Sequence, residues 1–182
     1  MFQTKVKDLD EAIDLTCKSL KSYCTQRSKI TICLTGGNFG EGVTERLGFL
    51  KDLNMDITFL ISDERFVSET EKESNQRVLK KKLAKNFDKE NVRFIFFTTD
   101  NDYAACFDSL RRKLDLEGIS KPDFLILSLG KDGHLAGHFC NSIMDESKMF
   151  CFTDHAPKPP KRRVSFSINW LYLADKIILA AV

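Results

Sequence analysis

Asp123-Phe124-Leu125-Ile126-Leu127-Ser128-Leu129-Gly130-Lys131-Asp132-Gly133-His134 is the stretch that decides the fold. Its first seven residues form the most apolar strand in the sequence, and the glycines behind it predict a turn over 130–140 that enters a short helix. Upstream, Ala104, Phe107, Leu110 and Leu114 fall at helical spacing and predict a helix over 102–114. Residues 92–97, apolar in character apart from Arg93, read as a strand buried on both faces. Val78, Leu79 and Leu83 make the apolar side of another helix, which the Ser74 hydroxyl caps. Residues 62–73 read as a polar loop after a strand at 56–61. Val43, Leu47 and Leu50 place a helix at 41–50, behind a strand at 29–34 that Thr35-Gly36-Gly37 breaks. The first helix spans 10–23, on the spacing of Ile13, Cys17, Leu20 and Cys24. Downstream, 163–168 and 176–182 read as strands around a short helical piece near Trp170.

Strand and helix therefore alternate. Short connections and right-handed crossovers then require an α/β fold: a Rossmann-like, mostly parallel sheet with helices on both faces, in three layers. The 182 residues suit one domain spanning 1–182. Hydrophobic residues make up 42% and charged residues 30%, a soluble globular composition, and fifteen phenylalanines against one tryptophan predict an aromatic interior. A net charge of +2 excludes the strongly basic surface of nucleic-acid or membrane binding, so neither is expected as a partner. The six cysteines lack zinc-ribbon and redox spacings and sit in apolar runs, which with a charged N-terminus unlike a signal peptide predicts a reducing cytoplasm. No run approaches the ~18–20 apolar residues of a membrane helix. Oligomeric state is not legible.

Polar residues of unusual type follow three of the strands, and in open α/β sheets ligands bind at the carboxyl ends of strands. After 29–34 come Gly36 and Gly37, which bring backbone amides near an anion or serve a purely steric turn. After 56–61 come Asp63 and Arg65, with Ser74-Asn75 beyond. Arg65 suits a phosphate or carboxylate, or pairs with Asp63 in a solvated turn. After 123–129 comes Gly130-Lys131-Asp132-Gly133-His134, which aims a histidine into a cleft; at a helix N-terminus its pKa tends downward, favouring the neutral imidazole of a general base. His138 stands four residues on, a spacing at which two histidines share a metal, but Leu135 takes the place of the glutamate in the metalloprotease helix and no third ligand is evident. Pro157-Lys158-Pro159-Pro160-Lys161-Arg162-Arg163 is a stiff basic connector, able to reach a phosphate or simply to solubilise an edge.

Taken in order, Gly36-Gly37, Asp63-Glu64-Arg65 with Ser74-Asn75, Gly130-Lys131-Asp132-Gly133-His134 and the 157–163 connector resemble the 6-phosphogluconolactonase family, relatives of the glucosamine-6-phosphate deaminases. The deaminases typically carry tyrosine where Arg65 stands, so the resemblance favours the lactonase. It implies hydrolysis of 6-phosphoglucono-δ-lactone to 6-phosphogluconate, a pentose phosphate pathway step, with no cofactor or metal. His134 would be the general base and Asp63 would position it or the sugar hydroxyls. Gly36, Gly37, Arg65, Asn75, Asp132, Gly133 and Arg163 would bind substrate.

The sequence also departs from the family. Asn38-Phe39-Gly40 replaces Ser/Thr-x-Pro, and Leu135-Ala136-Gly137-His138-Phe139-Cys140 replaces Thr-Ala-Ser-Leu-Phe-Pro. Family chains run on past the strand ending here at Val182, to a Gly-x-x-Lys segment and a closing helix, so the resemblance implies that the C-terminal part is missing. Two alternatives follow: a non-catalytic sugar-phosphate binder on the same scaffold, and a deaminase-type isomerase.

Overall fold

The computed structural model describes residues 3–87, 90–100, 102–140 and 145–181. Met1, Phe2 and Val182, which belong to the expected N-terminal segment and last strand, lie outside that set. In chain order the elements are α1 (Leu9–Cys24), β1 (Lys29–Leu34), α2 (Gly37–Glu45), a 3-10 turn (Leu47–Asp52), β2 (Asp56–Ile61), β3 (Asp63–Arg65), α3 (Asn75–Leu83), β4 (Val92–Phe94), α4 (Tyr103–Leu116), β5 (Phe124–Leu129), β6 (Phe150–Thr153), β7 (Arg163–Phe166), α5 (Ile168–Leu171) and β8 (Lys176–Ala181). The strand-and-helix alternation read from the sequence is present, with β1 and β2 at the expected residues.

Five strands form one parallel sheet in the order β4-β2-β1-β5-β8. The chain moves outward from β1 through β2 to β4, then crosses back to β5 on the other side of β1. Right-handed crossovers put α2 and α3 on one face and α4 on the other. The reversal opens a crevice outside the carboxyl ends of β1 and β5, where such sheets bind ligands. β1, β2 and β5 are almost wholly buried, and Phe59, Phe97, Phe124 and Phe166 are among the largest fully buried side chains, which is the aromatic interior expected. Phe166 stacks on Trp170 with ring centroids 4.1 Å apart.

A second, antiparallel sheet, β3-β7-β6, grows from the carboxyl edge of the first. Ser62 joins the two. Its N–H donates to the Leu34 carbonyl at 2.8 Å, and its own carbonyl accepts from the Phe166 amide at 3.0 Å. This junction holds Asp63 and Arg65 rigidly over the crevice.

The structure corrects several local expectations. Residues 62–73 are not all loop, because β3 pairs with β7 across a hundred residues; a three-residue strand carries no period of its own. β6 is likewise recruited by β7 and was not expected. The strand at 92–97 shrinks to β4, an edge strand with Phe94 36% exposed, while Ile95, Phe96 and Phe97 bury themselves beyond it. The helix expected at 41–50 starts earlier, at Gly37, and gives way to a 3-10 turn after Arg46 leaves helical geometry at ψ 3°. β7 stops at Phe166, where Ser167 caps α5 by accepting from the Trp170 amide. Among the described residues of 130–140 no helix forms after β5. Leu135 and His138 instead exchange backbone hydrogen bonds of 2.9 and 3.1 Å in a tight hairpin, with Ala136 at φ 49°. Glycines at 130, 133 and 137 weaken a helix there, and the hairpin satisfies the same amides.

Candidate active site

The crevice deepens into a cavity of about 500 Å³. Its walls come from β3 (Asp63, Arg65), the loop after β5 (Lys131, Asp132, His134, Ala136, Phe139), the proline connector (Pro157, Lys158, Pro159) and β7 (Arg163). Five of the residues singled out from the sequence therefore meet on one surface: Asp63, Arg65, Asp132, His134 and Arg163. Gly36, Gly37, Asn75 and Gly133 lie off its wall.

His134 is set by its own loop. Gly133 adopts φ 80° and donates its amide to the Gly130 carbonyl at 2.9 Å, while Gly130 donates to the His134 carbonyl at 2.9 Å. The imidazole folds back over Gly130, where a Cβ would sit 2.1 Å from Nδ1, so only glycine fits beneath the ring. Nδ1 contacts the Asp132 carboxylate, and the ring packs against Phe139 with centroids 5.3 Å apart. The hydrogen bond to His134 is the main cause that holds the Asp132 carboxyl below the usual carboxylate range. The pair is open on one side, with side chains 38% and 43% exposed. Because no helix begins there, the expected helix-dipole effect on His134 has no source; Asp132 is the group that orients it.

Asp63 is buried, and its Oδ1 accepts from the Ser62 hydroxyl at 2.8 Å. Arg65 and Arg163 stand opposite each other in register on β3 and β7. Arg65 donates from Nη1 to the Glu73 carbonyl at 2.6 Å. Arg163, 6% exposed, donates from Nη1 to the Pro160 carbonyl and from Nη2 to the Lys158 carbonyl at 3.3 Å, which folds the connector onto the cavity. Burial, and then the like charge of Arg65, lower the Arg163 pKa, and Asp63 and Glu64 oppose this. Arg163 nonetheless stays cationic at neutral pH. Lys131 and Lys158 add charge at the rim. Neither was singled out as a binding residue, although each belongs to a cluster that the sequence marks.

Behind this wall, Glu64 is fully buried. Its carboxylate accepts from the amides of Arg65 (2.6 Å), Asn75 (2.8 Å) and Gln76 (2.6 Å) and from the Ser74 hydroxyl (3.2 Å). One side chain thus ties the start of α3 to β3. Burial outweighs the three amides and pushes its pKa up to about 7. Asn75 fills the space over Gly36, where an added Cβ would lie 2.5 Å from its side chain, and donates to the Asp63 carbonyl at 3.5 Å. Gly36 and Asn75 therefore brace the crevice from behind. Gly37, at φ 72°, turns the chain into α2.

His134 and His138 do not face a common point. His138 Nδ1 meets Glu146 at 3.0 Å and its Nε2 meets the Phe166 carbonyl at 3.0 Å, and His138 is not among the residues that line the cavity. Among the described residues no helix is long and apolar enough to cross a membrane.

The fold has counterparts among solved structures. A 6-phosphogluconolactonase of Trypanosoma cruzi superposes with a TM-score of 0.78 at 22% identity, covering 97% of this chain and 78% of that one. A monomeric glucosamine-6-phosphate deaminase superposes with a TM-score of 0.79 at 15% identity, covering 98% and 81%. These likenesses establish the fold. In sequence, a Dictyostelium discoideum protein named "Probable 6-phosphogluconolactonase" is 28% identical over 174 residues, 89% of this chain and 72% of its own. The profile of the family described as "Glucosamine-6-phosphate isomerases/6-phosphogluconolactonase" matches residues 4–182. The chain belongs to that family of glucosamine-6-phosphate isomerases and 6-phosphogluconolactonases.

Proposed function

We propose that this chain is a lactone hydrolase that converts 6-phosphoglucono-δ-lactone to 6-phosphogluconate. One observation carries the reading: a carboxylate-oriented histidine on the same cavity wall as two in-register arginines. Nδ1 of His134 faces Asp132, which leaves Nε2 to the cavity as the base. Water attacks the lactone carbonyl carbon while its proton passes to Nε2. The tetrahedral oxyanion collapses, the bond from that carbon to the ring oxygen breaks, and His134 returns the proton to the leaving alkoxide. The new acid then ionises.

Arg65 and Arg163, with Lys131 and Lys158, supply the positive field for the phosphate and the developing oxyanion. Buried Asp63 accepts from sugar hydroxyls and balances Arg163. Gly36, Gly37 and Gly133 act through backbone shape, and the Asn75 side chain braces Gly36 and Asp63 from behind. A strained cyclic ester needs only modest acceleration, and one oriented base with a fixed cationic wall is enough for that.

The test is product analysis on freshly prepared lactone, corrected for spontaneous opening. Stoichiometric acid release is expected. Ammonia release from glucosamine 6-phosphate, without lactone turnover, would move the chain to the isomerase branch; binding of 6-phosphogluconate without either turnover would make it a sugar-phosphate binder.

A further inference from the structure

The hairpin that carries His134 on one side carries His138 on the other, and His138 is where the family resemblance leads one to expect leucine. Its imidazole joins Glu146 and Cys151 in a half-buried cluster whose ligand atoms all lie within 4.8 Å of one another. Nδ1 lies 3.0 Å from Glu146 Oε1, and Nε2 lies 3.6 Å from Cys151 Sγ. We propose that His138, Glu146 and Cys151 form a binding site for one divalent cation of borderline softness, of the Zn²⁺ class, which clamps the catalytic hairpin to β6 and to the start of α5.

The donor set argues for that class. A thiolate and an imidazole select zinc-like ions over Mg²⁺ or Ca²⁺, and a single carboxylate completes a three-ligand set with the fourth tetrahedral position left to water. Two of the ligands are also held from behind, as metal ligands usually are. Glu146 Oε2 accepts from the Ile168 amide at 2.8 Å, which leaves Oε1 for the ion. His138 Nε2 meets the Phe166 carbonyl at 3.0 Å, a contact that orients the ring. Cys151 donates its S–H to the Ser165 carbonyl at 3.7 Å, a contact given up when the thiol loses its proton to solvent on binding the ion. These carbonyls and amides belong to β7 and α5, so the ligand positions follow from the second sheet and not from a loop alone.

Such an ion has no part in the hydrolysis proposed above, since His138, Glu146 and Cys151 are not among the residues that line the cavity. It would instead fix Gly137, whose amide donates to Ser165 at 3.3 Å, and through it the His134 loop.

Co²⁺ titration of chelator-stripped protein reads the site directly. One equivalent should produce tetrahedral d–d bands and a thiolate-to-cobalt charge-transfer band, and Zn²⁺ should bleach both and raise the melting temperature. Cys151→Ser should abolish the charge-transfer band, while Cys140→Ser should keep it. His138→Leu, and Glu146→Gln at a more exposed position that preserves folding, should each weaken Zn²⁺ by more than about tenfold. Absence of a 1:1 complex, a charge-transfer band that follows Cys140 instead of Cys151, or unchanged affinity in Glu146→Gln would overturn the assignment and leave a simple His138–Glu146 ion pair.

Discussion

Arg65 and Arg163 are cross-strand partners, paired in register between β3 and β7, with their side chains on one cavity wall. Like charges directly opposite on a sheet oppose each other. Burial lowers the Arg163 pKa further, and the neighbouring Asp63 and Glu64 only partly offset these costs. An anion in the cavity relieves the repulsion, which is why the pair is assigned to the phosphate or the oxyanion. Arg65→Gln should raise KM for the lactone by about 10- to 100-fold, the worth of a charge-assisted hydrogen bond. It should also abolish competitive inhibition by inorganic phosphate. An unchanged KM in steady-state assays would place the phosphate elsewhere, at Lys131 or Lys158.

Asp132, not Asp63, touches Nδ1 of His134. Asp132→Asn should therefore lower kcat by about 10- to 100-fold through loss of ring orientation. The pair is exposed, and exposed ion pairs contribute little to stability, so the melting temperature should barely move. Equal losses in kcat and in thermal stability would mean that Asp132 holds the loop and not the ring.

Glu64 carries a pH signature. Its folded pKa, about 7, lies above the 4.5 of an unperturbed glutamate, so between those limits the folded state holds a proton that the unfolded chain has lost. Stability should fall as pH rises from about 4.5 to about 7 and then level off, other groups apart. Glu64→Gln removes that slope. It also turns an amide NH₂ toward backbone N–H donors, which should cost about 1–3 kcal/mol at the acid end. Denaturant melts of both proteins across this range check the sign; an identical slope in the variant would contradict the buried-proton account.

Gly36 and Gly37 should fail for different reasons. In Gly36→Ala the new methyl meets the Asn75 side chain at 2.5 Å, so Asn75 must leave its place under Asp63, at about 1–3 kcal/mol. In Gly37→Ala there is room, and the cost is the left-handed backbone at φ 72°, about 1–2 kcal/mol. Only the first should also alter turnover. Chemical denaturation with parallel activity assays separates the two.

What the sequence showed and what it hid divide along contact range. β1, β2 and β5 were legible because long apolar runs end in glycine or polar breaks, and α1, α3 and α4 because their apolar residues fall at helical spacing, with Ser74 as the cap of α3. Ser74 does accept from the third amide of its helix, and Asp102, not read as a cap, does the same for α4. β3 and β6 were illegible because three or four residues carry no period, and both exist only through β7. The carboxyl-edge clusters after β1, β2 and β5 pointed to the crevice. The sequence did not reveal that Gly36 and Asn75 pack behind it, or that Asp132 is the partner of His134, because both depend on how the loops fold back. Nor could a linear reading join His138 to Cys151, thirteen residues on and across a hairpin. β8 leaves Ile177 and Leu179 37% and 50% exposed, on a strand that the sequence placed correctly.

The central claim is that His134 is the base of a lactone hydrolase, and replacing it tests that claim most directly. Initial rates on fresh 6-phosphoglucono-δ-lactone, net of spontaneous hydrolysis, should fall by about 10²- to 10⁴-fold in His134→Ala, with KM and melting temperature little changed. A variant that keeps the parent's kcat would contradict the account and remove His134 from the chemistry.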